Sequence, residues 1–245
     1  MDLRESRTRG GVRHPWETAR ASFLLALLER HGRLEARDAL DIGAGDAYFA
    51  SRLVGRLSAG AAVVCVDSNY DAETLAGLSL PNGITASATL PTGRFELLLA
   101  LDVAEHVEDD RGFASALRAR VTADGALLFT VPAWPSLFSD HDRALLHFRR
   151  YTHASARALL RSAGFRILED GGFFHALVAP RLAALALEKL GRRPGPDANT
   201  AWNGSERSAK AIASLLEAEH AVTHALGRRG WSLPGLSYYA LAVPA

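Results

Sequence analysis

Short apolar runs alternate with segments of helical periodicity along most of this chain. Apolar runs with the length of buried strands occur at residues 39–42, 63–66, 97–101, 126–131, 165–168 and 238–243. Segments with helical spacing occur at residues 16–31, 47–57, 72–78, 111–121, 153–163, 175–190 and 205–227. Strands that alternate with helices predict parallel βαβ units, because a parallel neighbour is reached only through a long crossover. The pattern therefore predicts an α/β fold built on one doubly wound sheet.

The composition fits one large domain and argues against several classes of protein. Of 245 residues, 48% are hydrophobic and 22% are charged, which is ordinary for a globular chain. We expect the polar, Arg-rich residues 1–13 to form a flexible arm and residues 14–245 to form a single domain. A formal net charge of only +1 argues against a nucleic-acid partner. The single cysteine, Cys65, can build neither a disulfide framework nor a thiolate metal site.

The chain has no sequence signal for a membrane or for secretion. No apolar run reaches the roughly 18 residues that a membrane-spanning helix needs. The N-terminal residues are charged and lead into no apolar segment that would suit a secretory signal. We therefore expect a cytoplasmic protein with no stable membrane span.

Residues 41–46, Asp-Ile-Gly-Ala-Gly-Asp, follow the first predicted strand and lead into a helix. Glycines in such a turn let backbone N–H groups and the helix N-terminus approach a ligand closely. Dinucleotide enzymes have a third glycine where this chain has Tyr48, and carboxylates beside a pyrophosphate would be repelled. Asp41 and Asp46 instead suit a ligand with an ammonium and a sulfonium group. Asp67 ends the next strand, where an acid can accept hydrogen bonds from both ribose hydroxyls.

These motifs resemble those of class I S-adenosylmethionine-dependent methyltransferases, in particular the small-molecule group called type 11, 12 or 23, over residues 14–170. Residues 102–107, Asp-Val-Ala-Glu-His-Val, are similar to the family's motif after the fourth strand. The resemblance implies a Rossmann-like sheet of seven strands, mostly parallel, with an antiparallel last strand near the edge and helical additions. It implies S-adenosyl-L-methionine as the cofactor, bound by Asp41, Gly43, Gly45, Asp46, Asp67, Ser68, Asn69, Leu101, Asp102 and Val103.

The stretch after the third predicted strand departs from the family's pattern. Many relatives have Gly-Asp there, and the carboxylate binds the adenine amino group. Residues 85–91 of this chain, Thr-Ala-Ser-Ala-Thr-Leu-Pro, contain no acid. We expect Ser87 or a backbone group to bind the adenine instead.

Residues 132–152 form a loop rich in aromatic, histidine and arginine side chains. The loop follows the fifth predicted strand, so it lies at the sheet edge where open α/β sheets bind ligands. His141 and His147 are candidate general bases, since imidazole titrates near neutrality, and a structural role is the alternative for each. Nothing in the sequence fixes a metal-binding geometry for these histidines and Asp142, so we predict no metal.

Further side chains are candidates for binding the methyl acceptor. Arg149 or Arg150 can hold a carboxylate or phosphate through two hydrogen bonds, or can simply be exposed at a helix start. The resemblance places the first helix over the cofactor or acceptor and the 102–107 motif at the pocket wall. The predicted substrate-binding residues are Trp16, Arg20, His106, Trp134, Arg149 and Tyr151, within acceptor elements 14–31, 132–152 and 173–230.

The leading hypothesis is an enzyme that methylates an oxygen, nitrogen or carbon atom of a small molecule. A nicotinamide-dependent Rossmann oxidoreductase and a catalytically silent cofactor-binding subunit are the alternatives, and a homo-oligomer stays open. We expect residues 175–190 to form a buried helix because alanine is plentiful, although an amphipathic surface for a lipid or a partner is the other interpretation.

Overall fold

The computed structural model describes residues 13–191, 204–227 and 233–245. In chain order, the strands are β1 (Asp38–Ile42), β2 (Ala62–Val66), β3 (Ile84–Ser87), β4 (Phe95–Leu101), β5 (Val121–Pro132), β6 (Phe165–Phe173) and β7 (Ser237–Pro244). The α-helices are α1 (Pro15–Arg30), α2 (Tyr48–Val54), α3 (Ala72–Gly77), α4 (Asp110–Arg120), α5 (Asp140–Ala144), α6 (His153–Ser162), α7 (Val178–Lys189) and α8 (Glu206–Gly227). Single-turn 3₁₀ helices occur at Arg33–Glu35, Ala104–His106 and Pro135–Leu137.

The strands form one seven-stranded sheet in the order β3-β2-β1-β4-β5-β7-β6. Neighbours from β3 to β5 are parallel, and β7 runs antiparallel to both β5 and β6. The predicted Rossmann-like fold and its antiparallel last strand near the edge are therefore confirmed. Because the strand order reverses between β1 and β4, the carboxyl ends of these two strands flank a crevice of the kind that binds ligands.

Both faces of the sheet are covered by helices, which explains the continuous apolar runs of its central strands. Side chains alternate along β4: Leu97 and Leu99 pack with residues of α1, α2 and α8, whereas Leu98 and Ala100 pack with residues of α4 and α6. Cys65 is fully buried in the first of these clusters, as a strand residue. The sheet is thus held rigidly between two cores, and its strand ends are fixed platforms for side chains.

Helix α7 corrects one expectation from the sequence, because it lies at the surface and is not buried. Leu182, Leu187 and Leu190 beside it are 51%, 41% and 73% exposed, and Leu185 alone among its leucines is buried. The alanine content of α7 did not predict its burial correctly, because a helix that covers a cavity needs only one packed face. No helix in the described ranges is both long and apolar enough to cross a bilayer.

Candidate functional site

The loop after β1 has a backbone that only glycine adopts without strain at position 43. Gly43 has φ +71°, and a Cβ there would lie 2.5 Å from Cγ2 of Val103 in the loop after β4. Its N–H donates to the carbonyl of Val66 at 2.7 Å, which joins the ends of β1 and β2. Glycine is therefore required both by the turn and by the close approach of the neighbouring loop.

Asp67 ties the glycine loop to the end of β2. One carboxylate oxygen accepts a hydrogen bond from the N–H of Gly45 at 3.0 Å, and the other accepts from the N–H of Asn69 at 2.9 Å. Asp67 is only 6% exposed, while Ser68 and Asn69 are exposed beside it. Ser87, at the end of β3, is half-buried, and its hydroxyl accepts from the N–H of Thr89. These residues lie at the carboxyl ends of the neighbouring strands β1, β2 and β3.

The two acids that flank the glycines have different surroundings. Burial raises the pKa of Asp41 to about 7, and the nearby charges of Asp67 and Asp46 act in the same direction. Asp46, by contrast, forms an ion pair with Arg13 at 2.6 Å. The sequence argument treated both carboxylates as available to a cationic ligand, but in this structure Arg13 already neutralises Asp46.

Arg20 of α1 stands between two cavities at the carboxyl ends of β1 and β4. The smaller cavity is bounded by Asp41, Gly43 and Leu101 among others, and the larger one by Asp102 and the loop after β5; Arg20 lines both. The guanidinium forms an ion pair with Asp102, whose other carboxylate oxygen accepts from the hydroxyl of Thr130 at 2.9 Å. Arg20 thereby fixes helix α1 against the end of β4.

The larger cavity has a volume of about 350 Å³. It brings together six residues of the predicted catalytic, cofactor-binding and substrate-binding sets, which are Trp16, Arg20, Asp102, His106, His141 and His147. Its wall also contains side chains that the predicted set omits, among them Glu17, Glu105, Arg150, Phe174, Leu177 and Arg181. Aromatic, aliphatic, acidic and basic groups therefore meet in one space next to Arg20.

Asp142 organises one side of this cavity. It is fully buried, and its carboxylate accepts hydrogen bonds from Nδ1 of His147 at 3.0 Å and Nε of Arg150 at 2.6 Å. It also accepts from Ser139 and from Arg181 of α7. Burial alone would raise the pKa of Asp142, but these donors and cations hold it well below its usual range. Asp142 is thus an anion that positions three cavity side chains.

Glu105 lies in the 3₁₀ turn after β4 and is 1% exposed. Neither of its carboxylate oxygens has a hydrogen-bond partner in the described part of the chain. Burial, together with the charge of Asp102, raises the pKa of Glu105 well above its ordinary value. A buried carboxyl group without hydrogen-bond partners destabilises the folded protein. Glu105 is therefore a candidate functional residue.

Three predicted substrate-binding residues lie away from the cavity wall. Trp134 donates its indole N–H to the carbonyl of Gly235 at 2.8 Å, and Arg149 pairs with Asp110 at 2.8 Å. Tyr151 is 3% exposed and donates its hydroxyl hydrogen to the same Asp110 at 2.9 Å. Their observed contacts hold the 132–152 loop against the start of α4 and the segment before β7.

The sequence contains different amounts of evidence for the cavity residues that the predicted site omits. Glu105 stands inside the 102–107 motif, and its position beside His106 was a usable signal. Arg150 was weighed together with Arg149, but nothing in the sequence separates the two. Arg181 and Phe174 had no local signal, because they reach the cavity only through the packing of α7 and the end of β6.

The sheet order, the antiparallel β7 and the acid-glycine loop define a Rossmann-like methyltransferase fold. The chain belongs to the methyltransferase domain family, whose model matches residues 14–170. S-adenosylmethionine is accordingly its cofactor. The residues at the strand ends fit that ligand: Asp41 and Asp67 are buried acids at the edge where its ammonium, sulfonium and ribose groups need partners. No curated protein matches the chain significantly.

Solved structures of two methyltransferases and one cyclase share the fold. A SAM-dependent methyltransferase from Archaeoglobus fulgidus is 19% identical with a TM-score of 0.51, over 91% of this chain and 93% of its own. The N-methyltransferase NodS from Bradyrhizobium japonicum WM9, solved with S-adenosyl-L-homocysteine, is 18% identical with a TM-score of 0.51, over 64% and 79%. The [4+2]-cyclase SpnF is 16% identical with a TM-score of 0.55, over 98% and 85%. These similarities are evidence of a shared fold.

Proposed function

We propose that this protein transfers a methyl group from S-adenosylmethionine to an oxygen, nitrogen or carbon atom of a small molecule in the larger cavity. The observation that carries the proposal is the shared wall formed by Glu17 and Arg20, which line both the cavity at the glycine loop and the larger cavity. A donor held at the first cavity can present its methyl group to an acceptor in the second.

The cofactor would be held by residues at the carboxyl ends of β1 to β4. The carboxylate of Asp41 would face the ammonium group, and the guanidinium of Arg20 would face the cofactor's carboxylate. Asp67 would accept from the ribose hydroxyls, because a carboxylate offers more acceptor sites than its backbone donors use. The exposed edge beside Asp67 and Ser87 leaves room for the adenine. The bound cofactor supplies an activated methyl group, so the protein's main task is alignment.

The acceptor would be a small molecule with both flat or aliphatic and polar parts. A volume of about 350 Å³ lies at the lower end for ligand pockets. Trp16, Phe174 and Leu177 offer apolar contact on one side, while Arg150 and Arg181 offer positive charge on the other. His147 is favoured over His141 as the functional histidine, because its Nδ1 is hydrogen-bonded to the buried carboxylate of Asp142 at 3.0 Å.

The alternatives make different predictions about binding. A nicotinamide-dependent oxidoreductase is disfavoured by the family assignment, whereas a catalytically silent member is not, since one fold hosts several functions. Calorimetry with S-adenosylmethionine, S-adenosylhomocysteine and NAD tests the first point. We expect one sulfonium cofactor to bind per chain and NAD not to bind; binding of NAD alone would overturn the proposal.

Methyl transfer itself is tested with cofactor carrying a labelled methyl group. The purified protein and that cofactor are incubated with a small-molecule fraction of a cell extract, and labelled products are separated. We expect a labelled product with the wild type and much less with Asp67→Ala when the cofactor concentration is near the wild-type Kd. Tight cofactor binding without any labelled product across extracts would favour a silent subunit.

A further inference from the structure

Three potential ligand groups meet where the turn after β4 touches the loop after β5. A carboxylate oxygen of Glu105 and one ring nitrogen each of His106 and His147 all lie within 4.8 Å of one another. Ligand atoms that each lie about 2.1 Å from one tetrahedral metal ion are about 3.4 Å apart. A contraction of at most about 1.4 Å would therefore place all three on a single ion, which side-chain rotation can supply.

We propose that Glu105, His106 and His147 bind a divalent first-row transition-metal ion at the wall of the larger cavity. The strongest support comes from Glu105, which is 1% exposed and whose two oxygens have no hydrogen-bond partner among the described residues. A buried carboxylate without donors is unfavourable unless something positive binds it. A cation held by the two adjacent imidazoles would satisfy it.

His147 is already oriented as a metal ligand. Its Nδ1 lies 3.0 Å from the buried carboxylate of Asp142, so Nδ1–H donates and Nε2 keeps its lone pair. A carboxylate behind a ligating histidine is the usual outer partner in metal sites, because it fixes the tautomer and the ring orientation. The N–H of Phe148 donates to the carbonyl of Glu105 at 2.7 Å, which clamps His147 beside the turn. The rings of His106 and His147 are 4.6 Å apart.

The donor set indicates the class of ion. Two imidazole nitrogens and one carboxylate suit Zn²⁺, Co²⁺, Mn²⁺ or Fe²⁺, whereas Mg²⁺ and Ca²⁺ prefer oxygen ligands. With three protein ligands, coordination positions remain that face the cavity. If the proposed function holds, an acceptor oxygen would bind there and lose its proton more readily. His147 would then be a ligand and not the general base.

The test is metal binding by the full chain, without cofactor or acceptor. The protein is freed of metal with a chelator and titrated with Co²⁺, followed by calorimetry and by the visible absorption of the bound ion. We expect one Co²⁺ per chain and the absorption of a site with nitrogen and oxygen ligands. Glu105→Gln and His147→Ala should each weaken binding at least tenfold. His153→Ala, which removes a partly buried histidine near Tyr238, should bind like the wild type.

Thermal unfolding separates loss of the site from loss of the fold. Zn²⁺ should raise the Tm of the wild type and of His153→Ala, and should raise the Tm of Glu105→Gln by less at the same Zn²⁺ concentration. A folded wild type that binds no Co²⁺ overturns the proposal. Binding that survives both Glu105→Gln and His147→Ala overturns it too, because the ion must then lie elsewhere. Either failure leaves cofactor binding and methyl transfer untouched, so the two proposals are tested separately.

Discussion

The cofactor edge and the acceptor cavity of this protein are built in different ways. At the cofactor edge, short loops at the ends of adjacent parallel strands bond to one another, as Gly45 and Asp67 do. The acceptor cavity is instead lined by side chains from α1, the turn after β4, α5, α7 and the start of β7. The first region depends on backbone geometry and the second on long-range packing. Changes at the cofactor edge should therefore act first on cofactor affinity, and changes in the cavity away from the shared residues Glu17 and Arg20 should spare it.

The largest effect is expected for Gly43→Ala. The added Cβ would meet Val103 at 2.5 Å in a backbone conformation that disfavours alanine, so the loops after β1 and β4 must separate. We expect the affinity for S-adenosylhomocysteine to fall about a hundredfold, or about 2.8 kcal/mol, by calorimetry. Gly60→Ala is the matched control, since Gly60 has φ +78° and nothing within 4 Å of a new Cβ. If both variants lose affinity equally, backbone strain and not the loop contact is responsible.

Asp67→Ala should have the next largest effect. It removes the acceptor for two backbone N–H groups and the proposed partner of the ribose hydroxyls. A hydrogen bond to a charged group contributes about 1.5–3 kcal/mol, so loss of the proposed ribose contact should lower cofactor affinity between about tenfold and a hundredfold. Asp71→Ala removes an exposed carboxylate that caps α3 and should keep the wild-type affinity. Unchanged affinity in Asp67→Ala would remove this residue from the site.

These two regions also differ in how far the sequence could predict them. The sequence identified the candidate cofactor residues Asp41, Gly43 and Asp67. Each lies in a short motif at the end of a predicted strand, so neighbouring residues alone indicate its position. The doubly wound α/β fold could be predicted from period and spacing, which reflect local geometry, and the family resemblance implied its seven strands. Element bounds were less accurate: β5 covers Val121–Pro132, although only residues 126–131 form an apolar run.

The sequence predicted only some of the residues that line the cavity. The adjacent residues Arg149 and Arg150 show why. Arg149 and Arg150 have the same chemistry, yet Arg150 lines the cavity and pairs with Asp142, while Arg149 pairs with Asp110 outside it. Which one points inward depends on the path of the loop, and that path is fixed by distant contacts. Arg181 could not be predicted because its helix was expected to be buried.

The acid at the end of β1 should make cofactor binding depend on pH. Burial raises the pKa of Asp41 to about 7 in the free protein, whereas a bound ammonium or sulfonium favours the ionised form. Binding should therefore release a proton, and affinity should rise about tenfold from pH 6 to pH 8. In Asp41→Asn, cofactor affinity should no longer rise with pH through this residue. Only the pH dependence that comes from the ionisable groups of the cofactor should remain. Calorimetry in buffers of different ionisation enthalpy measures the released proton.

The same titration has an opposite consequence for stability. A carboxyl whose pKa is raised in the folded state binds its proton more tightly there than in the unfolded chain. Folding then takes up a proton between about pH 4 and pH 7, so this contribution is lost as pH rises through that window. Chemical denaturation of the free wild type should show this decrease in the free energy of unfolding between about pH 4 and pH 7. Asp41→Asn should lack the part of the decrease that comes from Asp41. A wild type with pH-independent stability and affinity would contradict the assignment.

The smallest effect is expected for Arg149→Ala, which tests the boundary of the acceptor cavity. Arg149 contacts Asp110 and the carbonyl of Glu108, and an ion pair at this degree of exposure contributes about 0.2–1 kcal/mol. We expect a slightly lower free energy of unfolding, unchanged cofactor affinity and an unchanged KM for the acceptor. Arg150→Met is the matched variant inside the cavity and should raise that KM, because it removes a cation from the wall and one partner of Asp142. If instead Arg149→Ala raises KM and Arg150→Met does not, the acceptor lies on the side of the loop that faces Asp110.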